Sequence, residues 1–295
     1  MYELKLNFRP ILKQLEIFTK KEVSGYLSGG YLASVKGKGL DFDSFREYSP
    51  FDDASRIDWK ASVRAQKLLV REFREERNIE VMIVLDVSSS MCYASTPPQS
   101  KAEYAAEVAS AVVFGILRAG DSVGLLMYSD HAASELKPNS GLKQYYNILR
   151  QIINPQYYEG KFDFKGLMDY LNRKFKKGTV IIFISDFIGI GNNWQDMIRV
   201  ACKKFEMIGI CVRDPMDNWL PEGVGKVVVS DPFSGQQLMF DSDQIRARYE
   251  KINREFLTEL DRVFTESGGS LLQLTTDKPF VNMLTEFFIK RRKWR

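Results

Sequence analysis

Cysteine and histidine are both scarce in this sequence. The 295 residues include three cysteines, Cys92, Cys202 and Cys211, and one histidine, His131. An odd number of cysteines with no C-x-x-C pair argues against a disulfide framework and against a zinc ribbon. We therefore expect a protein of a reducing compartment, the cytoplasm. We also expect Cys92 to be a small packing residue rather than a nucleophile.

Long apolar runs are also missing. The longest, residues 108–117, is interrupted by Ser110 and Gly115 and is about half as long as a membrane span. The N-terminus carries Glu3 and Lys5 where a signal peptide needs an apolar stretch. These two features predict a soluble protein that is not exported.

A large excess of charge of one sign is absent as well. The net charge is +4, and without five basic residues near the C-terminus it would be −1. We therefore expect no nucleic-acid role, and a solvated chain end is the ordinary interpretation of such a tail. Peripheral contact with an anionic membrane is the alternative. The five residues are Lys290, Arg291, Arg292, Lys293 and Arg295.

From residue 80 onward, short apolar runs alternate with segments of helical spacing. Strands are predicted at residues 80–87, 122–128, 179–185, 204–212, 225–230 and 270–274, and helices at residues 101–118, 142–153, 164–176, 194–203, 242–266 and 279–290. Alternation with connections of this length implies right-handed crossovers between parallel strands. We therefore predict an α/β domain over residues 80–295, built on a doubly wound, mainly parallel sheet.

Residues 1–79 have a different pattern and are predicted to form a separate N-terminal lobe packed on this domain. Residues 3–23 have the spacing of an amphipathic helix, residues 24–40 are rich in glycine, and residues 67–77 are predicted to be a strand. Between them, residues 41–64 interleave aromatic side chains with acids and arginines.

This charged and aromatic block has two interpretations, an internal brace or a docking surface. We favour the brace, because arginines can form forked hydrogen bonds to carboxylates such as Asp53 and Asp58, while Trp59 would supply burial. The arginines concerned are Arg46, Arg56 and Arg64.

Two aspartates follow apolar strands directly. Asp86 ends the run 80–86 and Asp186 follows the run 179–185. In a doubly wound sheet ligands bind beyond the carboxyl ends of the strands, so both acids are expected in one crevice. Ser88 and Ser90 alternate with other residues after Asp86, and a turn could direct both hydroxyls at the same point. The simpler alternative is that these serines only turn the chain and cap the next helix.

All the side chains in this predicted cluster offer oxygen. Mg²⁺ or Mn²⁺ suits a sparse shell of oxygen ligands that retains several waters, whereas zinc favours histidine or cysteine. The sequence therefore predicts a site for one hard divalent cation.

At this point the residues resemble two known families. The pattern D-x-S-x-S after an apolar strand, with Ile184-Ser185-Asp186 at a later strand end, resembles the metal-ion-dependent adhesion site of von Willebrand factor A domains. The upstream block resembles the signature of family fifty-eight of the domains of unknown function (DUF58). Its segments are Gly39-Leu40-Asp41-Phe42-Asp43, Arg46-Glu47-Tyr48-Ser49-Pro50, Asp52-Asp53, Arg56-Ile57-Asp58-Trp59-Lys60 and Ala61-Ser62-Val63-Arg64.

The resemblance implies a partner. In that family the block precedes an A-type domain, and the proteins are typically encoded beside MoxR-type AAA+ ATPases. By analogy with A domains, Asp86, Ser88 and Ser90 would contact the ion directly or through water, and Asp186 would act from further out. An open coordination position would then accept a carboxylate from the partner.

This sequence departs from the family patterns at two positions. Phe162 stands where the adhesion site usually has a threonine, so either Asp163 supplies an oxygen instead or the ion is held more weakly. Phe51 stands where the family commonly has glycine before Asp52.

The function that these features predict is a non-enzymatic adaptor that works with a MoxR-type ATPase on an unknown client protein. A metal-dependent hydrolase, a phosphatase or nuclease using Asp86 and Asp186, is the main alternative, although two-metal chemistry generally needs three or more converging carboxylates. A serine hydrolase built from Ser90, His131 and Asp186 is a further one, although no G-x-S-x-G motif is present. No P-loop is present, so we do not expect the chain itself to hydrolyse ATP.

Overall fold

The computed structural model describes residues 41–49, 52–74, 80–95, 99–230 and 236–293. The predicted helix at residues 3–23 and the glycine-rich segment at residues 24–40 lie outside the described residues, and the division of the chain at residue 80 stays a prediction.

The described residues form ten strands and eight α-helices. The strands are β1 Asp41–Glu47, β2 Leu69–Arg74, β3 Glu80–Asp86, β4 Ser122–Tyr128, β5 Ala132–Asn139, β6 Val180–Ser185, β7 Glu206–Arg213, β8 Lys226–Ser230, β9 Gln237–Asp241 and β10 Ser270–Thr275. The helices are α1 Trp59–Ala65, α2 Lys101–Arg118, α3 Leu142–Ile152, α4 Phe164–Lys174, α5 Trp194–Lys204, α6 Pro215–Asn218, α7 Ser242–Glu266 and α8 Val281–Lys293.

Six of the strands form the central sheet, in the order β10-β7-β6-β3-β4-β5. Every neighbouring pair is parallel except β4 and β5, which are antiparallel. The order reverses between β3 and β6, which is the arrangement of doubly wound nucleotide-binding sheets. The predicted fold class, α/β with a doubly wound and mainly parallel sheet, is confirmed.

Helices cover both faces of the sheet, which explains why its central strands are continuous apolar runs. Along β3 the side chains alternate between two cores. Val81, Ile83 and Leu85 pack with α2, α3 and α8, while Met82 and Val84 pack with α4, α5 and α7. All five side chains are fully buried. At about 1.5–3 kcal/mol for each fully buried side chain of this size, β3 anchors both layers.

Local sequence sets where the long helices begin. Ser100 and Glu103 form a reciprocal capping box at the start of α2: the Ser100 hydroxyl accepts from Glu103 N at 3.2 Å, and Glu103 Oε2 accepts from Ser100 N at 2.7 Å. This satisfies two backbone groups that would otherwise lack partners. The predicted bounds of α2, of β4 and of α7 are confirmed to the residue.

The strand predictions were incomplete, because β1, β5 and β9 were not among them. The strand β5 was missed because this edge strand is half exposed along its length and lacks an apolar run. The segment at residues 225–230 does form a strand, β8, but it pairs antiparallel with β9 in a separate hairpin instead of joining the central sheet.

Before the sheet, β1 and β2 form an antiparallel hairpin. The predicted brace is confirmed at Arg46, whose guanidinium donates forked hydrogen bonds of 3.0 and 2.8 Å to Asp52. Asp53 and Asp58 cap a 3-10 turn and α1, where their carboxylates accept from backbone N–H groups, and their predicted pairing with arginines stays a prediction. The prediction that Trp59 is buried was wrong. Its position at the start of α1 leaves it 65% exposed.

In the C-terminal helix α8, the two basic residues Lys290 and Arg291 of the predicted tail differ in exposure to solvent. Lys290 is exposed and lies 3.7 Å from Glu286. Arg291 was wrongly grouped with the solvent-facing residues, because it is 8% exposed and its guanidinium lies 2.8 Å from Glu206 at the start of β7. No helix in the described ranges is long and apolar enough to cross a membrane.

Candidate metal centre

The candidate site lies at the point where the strand order reverses. Asp86 is the last residue of β3, and Asp186 directly follows the neighbouring strand β6. From here the chain leads to α2 on one face of the sheet and to α5 on the other, which opens a crevice between the two strand ends. Both carboxylates are fully buried, so the predicted convergence of the two acids is seen in the structure.

Asp86 is held by the backbone and by the adjacent strand. Its Oδ1 accepts a hydrogen bond of 2.9 Å from Ser88 N, and its Oδ2 accepts one of 2.6 Å from the Ser185 hydroxyl. Burial and the repulsion of Asp186 raise the pKa of Asp86 to about 7, although these hydrogen bonds lower it. The carboxylate is thus rigidly placed but lacks a compensating positive charge.

The two serine hydroxyls face each other beside Asp86. Ser88 Oγ and Ser90 Oγ are 3.1 Å apart, and both residues are buried. Ser88 precedes the 3-10 turn Ser89–Cys92, yet its side chain makes no capping hydrogen bond, and Ser100 caps α2 instead. The simpler interpretation, in which these serines only cap the following helix, is therefore disfavoured.

Asp186 pairs with Lys101, the first residue of α2, and this partner was not predicted from the sequence. Lys101 Nζ lies 2.7 Å from Asp186 Oδ2 and 2.8 Å from Asp217 Oδ2, and the lysine side chain is 2% exposed. Burial lowers the pKa of Lys101, but the attraction of Asp186 and Asp217 outweighs it and the pKa is raised. The available signal was a lysine at the first position of a helix whose residues are mostly apolar.

The β7–α6 segment forms the wall behind this lysine. Asp214 caps α6 and also accepts hydrogen bonds from the backbone N–H and hydroxyl of Ser95. Its neighbour Asp217 accepts from Lys101 and from Asp214 N. Asp214 thereby joins the loop after β3 to the end of β7, and Asp217 joins the start of α2 to the same segment.

Arg213 is a second buried cation at this edge. It is 4% exposed, its guanidinium lies 5.5 Å from the centre of the Phe256 ring, and its Nε has no hydrogen-bond partner among the described residues. Burial lowers the pKa of Arg213, but nearby acids including Asp186 and Asp217 outweigh it and the pKa is raised.

Charge is not balanced across this group of side chains. Lys101 and Arg213 are its two cations, against four aspartates, Asp86, Asp186, Asp214 and Asp217. When all are ionised, two negative charges remain in a region largely closed to water. Buried charge without a counterion is unfavourable, and the raised pKa of Asp86 reflects this.

The loop before α4 approaches the site through its backbone. Gly160 O accepts a hydrogen bond of 3.0 Å from Ser89 N. Phe162 is 8% exposed and stacks on Phe183 with ring centres 6.0 Å apart, so it serves the core beneath α4. Asp163 is exposed, and its Oδ1 accepts from Gly166 N at 2.9 Å as the cap of α4. A direct role for Asp163 as a metal ligand stays a prediction.

The serine-hydrolase alternative is not supported by this geometry. The three residues of the candidate triad make their hydrogen bonds elsewhere. The His131 side chain is 63% exposed, with Nδ1 2.5 Å from Asp130 Oδ1, while Asp186 is bonded to Lys101 and to Ile188 N.

Cys92 behaves as the packing residue that its context predicted. It is 7% exposed, and burial is the main cause that raises the pKa of its thiol to about 11. A thiol with this pKa is a poor nucleophile near neutral pH.

Within the described ranges, no three His, Cys, Asp or Glu side chains are grouped so that they could hold a metal, so any site here relies on serine oxygens.

These features define a doubly wound α/β protein with a buried acid-and-serine cluster at its topological switch point. The family described as "Protein of unknown function DUF58" matches residues 44–258. The chain belongs to this family. An uncharacterized protein of Mycobacterium tuberculosis is 30% identical over 285 residues, which cover 96% of this chain and 89% of that protein.

Two solved structures illustrate the wider likeness. An aerotolerance-related membrane protein from Bacteroides fragilis is 16% identical with a TM-score of 0.49, over 74% of this chain and all of that chain. A von Willebrand factor type A protein from Catenulispora acidiphila is 11% identical with a TM-score of 0.37, over 76% of this chain and 45% of that chain.

Proposed function

We propose that this chain is a non-enzymatic adaptor that uses one bound Mg²⁺ or Mn²⁺ to capture a carboxylate of a partner protein. Asp86, Ser88 and Ser90 would hold the ion, and Asp186 would orient a water on it. When bound, the ion would supply a Lewis-acid position for an incoming acidic side chain. The observation that carries this proposal is the buried Asp86 carboxylate facing two paired hydroxyls without a cation of its own.

The hydrogen bonds of Asp186 fit an outer role. Its Oδ2 accepts from Lys101 and its Oδ1 from Ile188 N, so both oxygens have one donor already. Each oxygen of Asp86 also accepts one hydrogen bond, but from the uncharged donors Ser88 N and the Ser185 hydroxyl, whereas Asp186 is paired with the Lys101 ammonium. Asp86 is therefore the carboxylate of the two that lacks a paired cation, and one such carboxylate favours a binding site over two-metal hydrolysis.

Exposed aromatic side chains next to the α6 wall suit a protein interface. Tyr93 is 39% exposed, with its hydroxyl 3.6 Å from Met216 Sδ, and Trp219 is 49% exposed directly after α6. Tyrosine and tryptophan are enriched where proteins bind each other. We further propose that the partner is a MoxR-type AAA+ ATPase, on the basis of the family to which the chain belongs, with a client protein of unknown identity.

Manganese binding is the direct test of the site. Titration of wild type with Mn²⁺, followed by the loss of the free-ion electron paramagnetic resonance signal, should show one site. The isosteric variant Asp86→Asn should abolish it. The control is Lys174→Met, which removes the surface ion pair between Lys174 on α4 and Glu135 on β5 and should bind normally. Equal binding in wild type and Asp86→Asn would remove the assigned ligands.

Partner capture needs a separate experiment. Immobilised wild type and Asp86→Asn are presented with a MoxR-type ATPase in its ATP, ADP and nucleotide-free states, with Mg²⁺ or with chelator. We expect capture by wild type with Mg²⁺ only. Failure in every state would refute the partnership, and phosphatase or nuclease turnover that disappears in Asp86→Asn would favour the hydrolase alternative.

A further inference from the structure

The buried charge of Lys101 depends on two neighbouring carboxylates for its stability. Lys101 begins α2, where the helix dipole places partial positive charge, and its side chain is 2% exposed. A cation here gains nothing from the helix and loses its hydration. Among the described residues, its favourable surroundings are the two carboxylates at 2.7 and 2.8 Å and the Tyr93 ring at 5.9 Å.

These carboxylates belong to two different parts of the site. Asp186 follows β6 beside Asp86, while Asp217 lies in the α6 wall. The ammonium group between them therefore removes negative charge from the crevice that the proposed ion would enter. It makes no hydrogen bond to Asp86, Ser88 or Ser90, so the predicted ligands of the ion stay available.

We propose that Lys101 is a built-in counter-cation that positions Asp186, keeps the site folded without an ion, and limits the affinity for a divalent cation. This inference rests on the proposed function, because it assigns a role to a lysine beside the same ion. The counter-cation role and a merely structural role for Lys101 predict opposite results. If Lys101 only supported the structure, its removal would weaken metal binding, whereas removal of a competing positive charge should strengthen metal binding.

Lys101→Met removes the charge and keeps an unbranched apolar side chain. The net charge of the group then changes from −2 to −3, and removal of one unit charge at this proximity should tighten Mn²⁺ binding on the order of tenfold. Lys101→Arg keeps the charge and should bind as wild type does. Lys174→Met, the same substitution at a surface ion pair, should leave the affinity unchanged.

A second background tests the charge if Lys101→Met alone folds poorly. In Asp217→Asn the lysine still pairs with Asp186, and the group has one negative charge fewer. Adding Lys101→Met to this variant leaves one buried carboxylate fewer without its cation than Lys101→Met does alone. The double variant should bind Mn²⁺ about tenfold more tightly than Asp217→Asn and close to wild type, whose net charge it shares.

Thermal unfolding supplies an independent readout. Wild type should have nearly the same melting temperature in chelator and in Mg²⁺ well below its Kd, whereas Lys101→Met should melt earlier in chelator and recover with Mg²⁺. Folded Lys101→Met that binds Mn²⁺ no more tightly than wild type would overturn this inference alone. Absence of binding in every variant would overturn both it and the metal site, and binding lost only in Asp86→Asn would leave the proposed function standing.

Discussion

Replacing Asp86 with asparagine should stabilise the ion-free protein at neutral pH and above, and this stabilisation should grow as pH rises from 3.8 to about 7 and then level off. The pKa of Asp86 is raised from 3.8 to about 7, first by burial and then by Asp186. Between these values the unfolded chain has lost this proton while the folded protein still holds it. The folded state therefore loses stability as pH rises through this window, and the loss is complete above pH 7.

The magnitude follows from the two pKa values. About 1.4 kcal/mol for each tenfold change in proton affinity gives an upper limit of about 4 kcal/mol, of which roughly 2 to 3 kcal/mol falls between pH 5 and 8. Asparagine can keep the acceptor for Ser88 N, and its amide can donate to the Ser185 hydroxyl, which already accepts from Phe187 N. The variant thus removes the charge with little change of shape.

Urea unfolding in chelator at pH 5, 6, 7 and 8 measures the effect. The free energy of unfolding of Asp86→Asn minus that of wild type should increase from pH 5 to pH 7 and level off towards pH 8, and taking this difference cancels the groups that titrate in both proteins. Added Mg²⁺ should restore wild type at pH 8 and leave the variant unchanged. Parallel pH profiles for the two proteins would refute the assignment of an uncompensated buried charge to Asp86.

Three further predictions concern the scaffold. Ser100→Ala removes the capping box of α2 and should lower the free energy of unfolding by about 1 kcal/mol, measured in urea, whereas Ser100→Asp should retain most of it; an unchanged value would contradict the cap. Arg291→Met removes the ion pair between the buried Arg291 and the partly exposed Glu206 and should cost about 3 kcal/mol, while the neighbouring exposed Lys290→Met should change stability by less than about 0.5 kcal/mol; equal effects would show that Arg291 is not buried. Trp59→Ser should change the thermal midpoint little, because the side chain is largely exposed; a loss of several degrees would mean that this tryptophan packs against other residues.

Several features of this protein follow from local sequence alone. The apolar run that ends in Asp86 and the one that precedes Asp186 could be assigned to central strands. A strand covered on both faces buries every side chain, so its residues are continuously apolar instead of alternating with polar ones. The cap at Ser100 and the length of α2 are equally local, since a serine three residues before a glutamate begins a helix. Strand alternation then implied a doubly wound sheet, and this placed both acids in one crevice.

Other features were decided only when distant segments met. The strand β5 has no pattern of its own, and its identity depends on pairing with β4 at the edge of the sheet. Trp59 was predicted to be buried from its residue type, yet at the start of α1 its side chain is exposed to solvent. At Phe162, where a hydroxyl was expected, an aromatic ring packs against Phe183 in the core under α4.

The candidate site itself divides in the same way. Sequence determined that Asp86, Ser88 and Ser90 form one loop at a strand end, because their spacing and the preceding apolar run are local properties. Tertiary structure alone decided that Lys101 lies against Asp186 and Asp217, residues 85 and 116 positions away along the chain. The physical reason is that a buried ion pair depends on which charges the fold brings within a few ångströms, and residue spacing along the chain does not encode that distance.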